Sequence, residues 1–345
     1  MTTRQSVSIA DLTRKIEAIF IKGGLSETQA GAVARVIAAG ERDACASHGI
    51  YRIEGCLRTV KAGKVAPRAE PTIKTDDTAI VRVDANDGFS CPAVELGLPA
   101  LAERARKFGL AAMVINNCTH FSALWYEAEL LTDMGLAGLA MCPSYATVAP
   151  TGGTKPLLGT NPLAFGWPRP GQPPYVFDFA TSVAARGEIE LHRRAGKPLP
   201  QDWALDAEGN PTTEPEAALA GAMLPFGGHK GSAISTMIEL LAAAMIGDMT
   251  SREALDHLGT TTLAPHHGEL ILAFDPETFA RGGSGNPFDR AEAIFSAILD
   301  QGARLPSQRR YQARDKALAH GIPLKDADIA MLDTLLANGL DAISL

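Results

Sequence analysis

Leu224-Pro225-Phe226-Gly227-Gly228-His229-Lys230-Gly231-Ser232-Ala233 is the most unusual stretch of the chain. Three glycines surround a His-Lys pair, and an apolar helical pattern from Ile234 to Ile246 follows at once. Backbone N–H groups at a helix N-terminus, with a cation beside them, suit an anion such as a phosphate or carboxylate. The spacing is neither GxxxxGK(S/T) nor GxGxxG, so neither common nucleotide fingerprint explains it. A second glycine cluster, Gly282-Gly283-Ser284-Gly285, runs into Asn286-Pro287 and lacks the third glycine. Counting elements alone suggests a Rossmann-like doubly wound sheet. Without the fingerprint, that answer is rejected.

Working outward, the first sixty or so residues read as helices. Ser8 caps Ile9 to Ile21, and Ser26 with Gln29 forms a capping box for a helix running into Ala44. A third helix spans Ile50 to Val60. Strand and helix then alternate: strand Thr78 to Val83, helix Ala93 to Phe108, strand Leu110 to Ile115, helix Ala123 to Met134, strand Leu136 to Cys142. Short β runs at Leu163 to Gly166 and Tyr175 to Phe179 precede a helix from Ser182 to Arg194. Past the quoted stretch come a strand, Glu269 to Phe274, and closing helices near 288–301, 308–319 and 326–338.

The 345 residues, 46% hydrophobic and 21% charged, describe an ordinary globular protein large enough for two or three lobes. A net charge of −7 argues against a nucleic-acid partner. No apolar run reaches the ~18 residues of a membrane span, and Arg4, Asp11, Arg14, Lys15 and Glu17 interrupt any leader-like segment. The expected location is the cytoplasm. Five cysteines, odd in number and never CxxC, read as reduced thiols with neither a disulfide frame nor a metal knuckle.

Ser47-His48-Gly49-Ile50-Tyr51-Arg52 lies between two helices. His48 offers an acid or base near neutral pH, and Arg52, four residues on, can share its face. A guanidinium beside a proton donor suits a small carboxylate substrate; a His-Arg pair capping a helix end is the plainer explanation. His120, in Asn117-Cys118-Thr119-His120-Phe121-Ser122-Ala123-Leu124-Trp125, marks a strand-to-helix switch, where α/β proteins contact ligands and where a backbone-satisfied core histidine also fits. Asp178, Thr181 and Ser182 end a β run as ordinary N-caps, and Glu188 sits inside the helix that follows. Arg304, Arg309, Arg310 and Arg314 form either a solvated helix face or a receptor for a 2′-phosphate. A Ser/His hydrolase is the reading from another class. It lacks a GxSxG elbow, and adjacent residues on a helix point about 100° apart, which makes Ser47 a poor nucleophile for His48.

Together these segments resemble the type-2 malate/L-lactate dehydrogenase family, a non-Rossmann group of nicotinamide oxidoreductases. The resemblance runs from Ser47-His48-Gly49 through Gly159-Thr160-Asn161-Pro162 and the quoted stretch to Arg304-Leu305-Pro306. Within the family the chain looks most like the Δ1-piperideine-2-carboxylate/Δ1-pyrroline-2-carboxylate reductases. Malate and lactate members typically have Asn-His-Phe-Gly where this chain has Thr119-His120-Phe121-Ser122.

The resemblance implies an α/β (α+β) fold: a non-Rossmann NAD(P)-binding domain on a largely antiparallel sheet, plus a helical domain from the N- and C-terminal segments. The implied division is 1–70, carrying the Ser-His-Gly motif; 71–287, for NADPH and substrate; and 288–345, packing back on the first segment. It implies a homodimer, with NADPH, or NADH in its place, as cofactor and no metal. Ser47, His48 as proton donor and Glu188 would be catalytic, Glu188 standing where the subfamily pattern has Asp. Arg52 and Thr160 would hold the substrate. Cofactor contacts would come from His120, Phe121, Ser122, Ala123 and Leu124, from Asp178, Phe179 and Ala180, and from His229 and Lys230. The rest would come from Arg304, Leu305, Pro306, Ser307, Gln308, Arg309 and Arg310. The implied reaction is NADPH-dependent reduction of a cyclic imino acid to L-pipecolate or L-proline. A 2-hydroxy-acid dehydrogenase is the alternative, and a non-catalytic or hydrolytic small-anion protein the remote one.

Overall fold

The computed structural model describes residues 4–345. Strand β1 (Arg4–Val7) leads into helices α1 (Ile9–Lys22) and α2 (Glu27–Arg42). A single 3-10 turn at Ala46–His48 precedes α3 (Tyr51–Lys61). The middle of the chain runs β2 (Thr72–Thr75), β3 (Ile80–Asp84), α4 (Ser90–Phe108), β4 (Leu110–Thr119), α5 (Trp125–Asp133) and β5 (Ala137–Met141). It continues with β6 (Leu163–Trp167), β7 (Tyr175–Phe179) and α6 (Arg186–Arg194). A small lobe follows: β8 (Ala204–Leu205), β9 (Pro211–Thr212), α7 (Pro215–Ala220) and β10 (Ala222–Met223). Then come α8 (His229–Glu239), widening into a π turn at Leu240–Ala244, and α9 (Ser251–Leu258), β11 (His266–Phe274), α10 (Pro276–Phe279) and α11 (Pro287–Asp300). The chain closes with α12 (Gln308–His320), β12 (Ile322–Lys325) and α13 (Asp326–Asn338).

Seven strands form the central sheet in the order β2-β3-β4-β11-β5-β6-β7. Only β3 and β4 pair in parallel; every other neighbour is antiparallel. This is the non-Rossmann, largely antiparallel sheet that the resemblance implied. On β4, Ala111, Met113 and Ile115 face α4 and α5, while Ala112 and Val114 face α8. Both faces are covered, which explains why this strand reads as an unbroken apolar run. Each large buried side chain here stabilises the fold by roughly 1.5–3 kcal/mol. Gly97 lets α4 settle on the sheet, because a Cβ there would stand 2.7 Å from Val83 Cγ2.

A separate apolar core joins α1, α2 and α3 to residues of α12, β12 and α13, including Ala317, Ile322, Leu332 and Leu335. β1 pairs antiparallel with β12, so the two chain ends share one layer. By contrast, α11 packs on the central sheet: Phe295 stacks on Tyr175 at 5.0 Å, and Arg169 bridges Glu292. α11 thus packs beside β6 and β7, while α12, β12 and α13 join the N-terminal helices.

Several local expectations shift for physical reasons. Ser26 accepts from Gln29 N at 3.3 Å, but the Gln29 side chain does not close the box. It is buried, donating to Ala69 O and accepting from Phe89 N, and so ties α2 to the start of α4. The helix expected from Ser182 begins at Arg186, because Thr181 and Ser182 spend their hydroxyls on Thr160, Asn161 and Ala184 carbonyls. The helix expected from Ala123 begins at Trp125. All five cysteines are free. Among the described residues, no helix is long and apolar enough to cross a membrane.

Candidate active site

The 3-10 turn sets Ser47 and His48 between α2 and α3. Its geometry departs from the sequence expectation: Ser47 Oγ lies 3.1 Å from His48 Nδ1. The tight turn, unlike an α-helix, brings these adjacent side chains together. One helical turn on, Arg52 Nη2 stands 3.3 Å from His48 Nε2, and Arg52 Nε donates to Ser47 O at 2.7 Å. Burial, and then the Arg52 charge, push the His48 pKa down to about 3. His48 is neutral in the free protein, and its partly exposed edge keeps it reachable.

Behind this pair lies His120, buried where β4 ends. Its backbone N–H donates to Pro265 O at 3.0 Å, and His48 and Arg52 both act on its charge. Asp178, at the end of β7, accepts from Trp125 N at 2.9 Å and so caps α5 rather than α6. Burial raises its pKa to about 6. The 120–124 turn and the 178–180 segment are thereby one unit.

Thr181 joins that unit to the quoted glycine stretch. Its N–H donates to Thr160 O at 2.8 Å, and its carbonyl accepts from Phe226 N at 3.0 Å. Phe179 packs edge-on against Phe226, ring centres 5.6 Å apart. Gly227 and Gly228, at φ +54° and +60°, turn the chain into α8 without strain. α8 has no side-chain cap, and His229 and Lys230 in its first turn are exposed. The Lys230 and Gly231 N–H groups already donate to Gly227 O and Phe226 O, so an anion here would meet chiefly the His229 and Lys230 side chains and the helix N-terminal dipole. A cavity of about 580 Å³ opens there, lined by Thr151, His229, Ser232, Thr236 and Leu240. A larger one, about 820 Å³, lies between the β6–β7 edge and α11 and contains no candidate site residue.

The C-terminal arginines divide. Arg304 and Arg309 are exposed, but Arg310 is 8% exposed and Arg314 is half-buried. Arg310 Nη1 donates to Asp43 Oδ2 at 2.9 Å, Arg314 Nε donates to Asp43 Oδ1 at 2.9 Å, and both arginines pair with Glu129. Arg310 also stacks over Trp125 at 4.1 Å. Its guanidinium is committed within the protein, whereas Arg304 and Arg309 project from the surface. Ser307 Oγ donates to Val176 O at 2.7 Å, fastening this segment beside Asp178. Leu305 is buried, Pro306 and Gln308 half-buried.

Glu188 is exposed on α6, and its carboxylate makes no hydrogen bond or ion pair among the described residues. No hydrogen bond or ion pair joins it to His48 among the described residues. The acids that the structure does bury include Asp43, Glu127, Glu129 and Glu269, which sequence reasoning missed. Isolated acids inside apolar helix or strand patterns were the available signal.

Residues 7–333 match the model of the malate/L-lactate dehydrogenase family. The chain belongs to that family. Among its relatives, the Δ1-pyrroline-2-carboxylate reductase of Agrobacterium fabrum is 70% identical over the whole of both chains. The Δ1-pyrroline-2-carboxylate/Δ1-piperideine-2-carboxylate reductase of Pseudomonas aeruginosa is 54% identical, covering 90% of this chain and 92% of its own. Among family structures, the Δ1-piperideine-2-carboxylate reductase of Pseudomonas syringae pv. tomato superposes with a TM-score of 0.91 at 40% identity. That match covers 96% of this chain and 99% of the other. Membership of this family implies a nicotinamide cofactor.

Proposed function

We propose that the protein reduces cyclic 2-imino acids, Δ1-pyrroline-2-carboxylate to L-proline and Δ1-piperideine-2-carboxylate to L-pipecolate, with NADPH. The carrying observation is the full-length 70% identity to a pyrroline-2-carboxylate reductase, joined to a His48–Arg52 pair that suits such a substrate. Arg52 would seat the carboxylate, with Thr160 beside it, and so fix the imine carbon in place. A carboxylate on Arg52 cancels one of the two causes that depress His48. His48 then gains affinity for the proton that it passes to the imine nitrogen. Ser47 would orient His48 through Nδ1, and Glu188 on α6 would complete the acid–base group.

His120 to Leu124, Asp178 to Ala180, His229 and Lys230 would hold the cofactor, with Arg304 and Arg309 at its 2′-phosphate. When bound, the reduced nicotinamide supplies the hydride. Met237, Leu240 and Met245 leave an apolar face exposed along α8 and its π turn, which supports a homodimer. Five unpaired cysteines accord with a cytoplasmic enzyme.

The test follows NADPH oxidation with Δ1-pyrroline-2-carboxylate and Δ1-piperideine-2-carboxylate, with pyruvate and oxaloacetate in parallel. Turnover of the imines alone supports the proposal. Turnover of the 2-oxo acids alone would move the enzyme to hydroxy-acid chemistry on the same site.

A further inference from the structure

Directly behind the 120–124 turn the protein buries more hydrogen-bond acceptors than it has donors to meet. Glu127 of α5 is 1% exposed; Glu269 and His267 of β11 are 0% exposed. Polar atoms of His120, Glu127 and Glu269 lie within 4.8 Å of one another. Ser122 Oγ is 3.1 Å from Glu127 Oε1 and 3.3 Å from His120 Nε2. On the other side of the ring, His120 Nδ1 faces Cys142 Sγ at 3.8 Å. His267 Nδ1 donates to Gly268 O at 2.8 Å, so its Nε2 is an acceptor. Among the described residues, that nitrogen, Glu127 Oε2 and both Glu269 oxygens have no hydrogen-bond partner, and His120 Nε2 stands 3.9 Å from Glu269 Oε2.

Leaving one buried polar atom unpaired costs about 1–3 kcal/mol, and an ionised carboxylate costs more. The nearest cations do not relieve this. Arg310 and Arg314 are committed to Asp43 and Glu129, and Arg52 to Ser47 O and His48. Two carboxylic acids would supply two of the missing donors and remove both charges. With Glu127 protonated, a consistent chain forms: Glu127 donates to Ser122 Oγ, Ser122 to His120 Nε2, and His120 Nδ1–H toward Cys142.

We propose that Glu127 and Glu269 are a pair of un-ionised carboxyls that position His120, and through it the 120–124 turn, for the reduction. The inference rests on the reading of that turn as part of the cofactor site. Burial raises the pKa of Glu127 to about 8 and holds that of Glu269 well above the usual carboxylate range. The groups acting on the cluster are Asp178 from β7, Cys91 from α4, Cys118 from β4, Tyr126 from α5, and Cys142 and His267 beside it. His48 and Arg52 act on His120, and Asp248 on His267. None is a free cation beside the carboxyls. Ionisation of Glu127 at alkaline pH reverses the chain of donors and loosens the turn.

Two measurements test this. Infrared spectra of the wild-type enzyme at pH 7.5, where ordinary carboxyls are ionised, are expected to show a carboxylic-acid C=O stretch that E127Q and E269Q each diminish. Absence of that band from the wild type, or one divalent metal ion per chain by elemental analysis, overturns the pair. In kinetics, E127A is expected to raise the KM for NADPH about tenfold, the worth of one hydrogen bond. E127Q should recover most of that loss. The wild-type KM should climb above pH 8 while that of E127Q does not. Equal alkaline limbs in both enzymes overturn the positioning role. A protein that shows the acid band but never binds NADPH refutes the cofactor reading, and the band stands apart from it.

Discussion

Replacing Asp43 by Asn tests the ion network beneath the proposed cofactor segment. Asp43 is 2% exposed and receives N–H donors from three arginines: Arg42 at 2.6 and 3.1 Å, Arg310 at 2.9 Å, and Arg314 at 2.9 Å. Asn keeps the volume, removes the charge and turns half of the acceptor edge into a donor aimed at guanidinium groups. Glu129 is then the one carboxylate left for both Arg310 and Arg314. Breaking a buried pair from one side costs about 3–5 kcal/mol. Urea denaturation of D43N is expected to lose that amount. Burial works to raise the Asp43 pKa, but the bonds from Arg314 and Arg42 outweigh it and hold the group below its ordinary value. Its contribution is therefore present above the unfolded carboxyl range, near pH 4, and lost as pH falls through the depressed value. The D43N deficit should shrink in acid. Because Arg310 also bonds Ser307, which bonds Val176, the NADPH KM should rise as well. A D43N protein within about 1 kcal/mol of wild type, the usual worth of an exposed pair, would refute the reasoning. Glu129 alone would then balance the arginines.

Four other substitutions probe the site more directly. H48A should lower kcat by about 10²–10⁴ with NADPH still bound, as measured by steady-state kinetics and cofactor fluorescence. R52A should raise the imine KM about tenfold to a hundredfold, since bonds to charged groups are worth about 1.5–3 kcal/mol; an unchanged KM would place the carboxylate elsewhere. R309A should narrow the preference for NADPH over NADH in parallel kcat/KM measurements. In G231A the new Cβ would collide with Phe226 O and stand 2.9 Å from Phe226 N and 3.0 Å from Thr181 O. The quoted turn must shift, so both thermal midpoint and NADPH affinity should fall.

The strand β4 and the position of His48 were legible because each depends on local chemistry: apolar runs, turn glycines and helix spacing. The antiparallel sheet was legible only through the resemblance, since pairing order depends on contacts such as β4 with β11, some 150 residues apart. The arginine cluster shows the same limit. Arg309 and Arg310 are neighbours with equal side chains, yet one faces solvent and the other is buried against Trp125. Which of them is free depends on Asp43 and Glu129, acids that helix α2's end and α5 deliver from far away in the chain. Glu127 and Glu269 were hidden likewise, because a carboxyl's protonation depends on what surrounds it.

The pairing of β1 with β12 constrains how the chain can be made. Arg4 aligns with Lys325, so this ladder waits until about 320 further residues have been made. At ~5–20 residues per second of synthesis, about 15–65 s separate the two strands leaving the ribosome. During that interval Leu12, Ile16 and Ile19, which end fully buried, have no α13 to cover them. The helical layer is therefore the late-folding part of the molecule, and the N-terminal helices are the segment a holding chaperone would meet first.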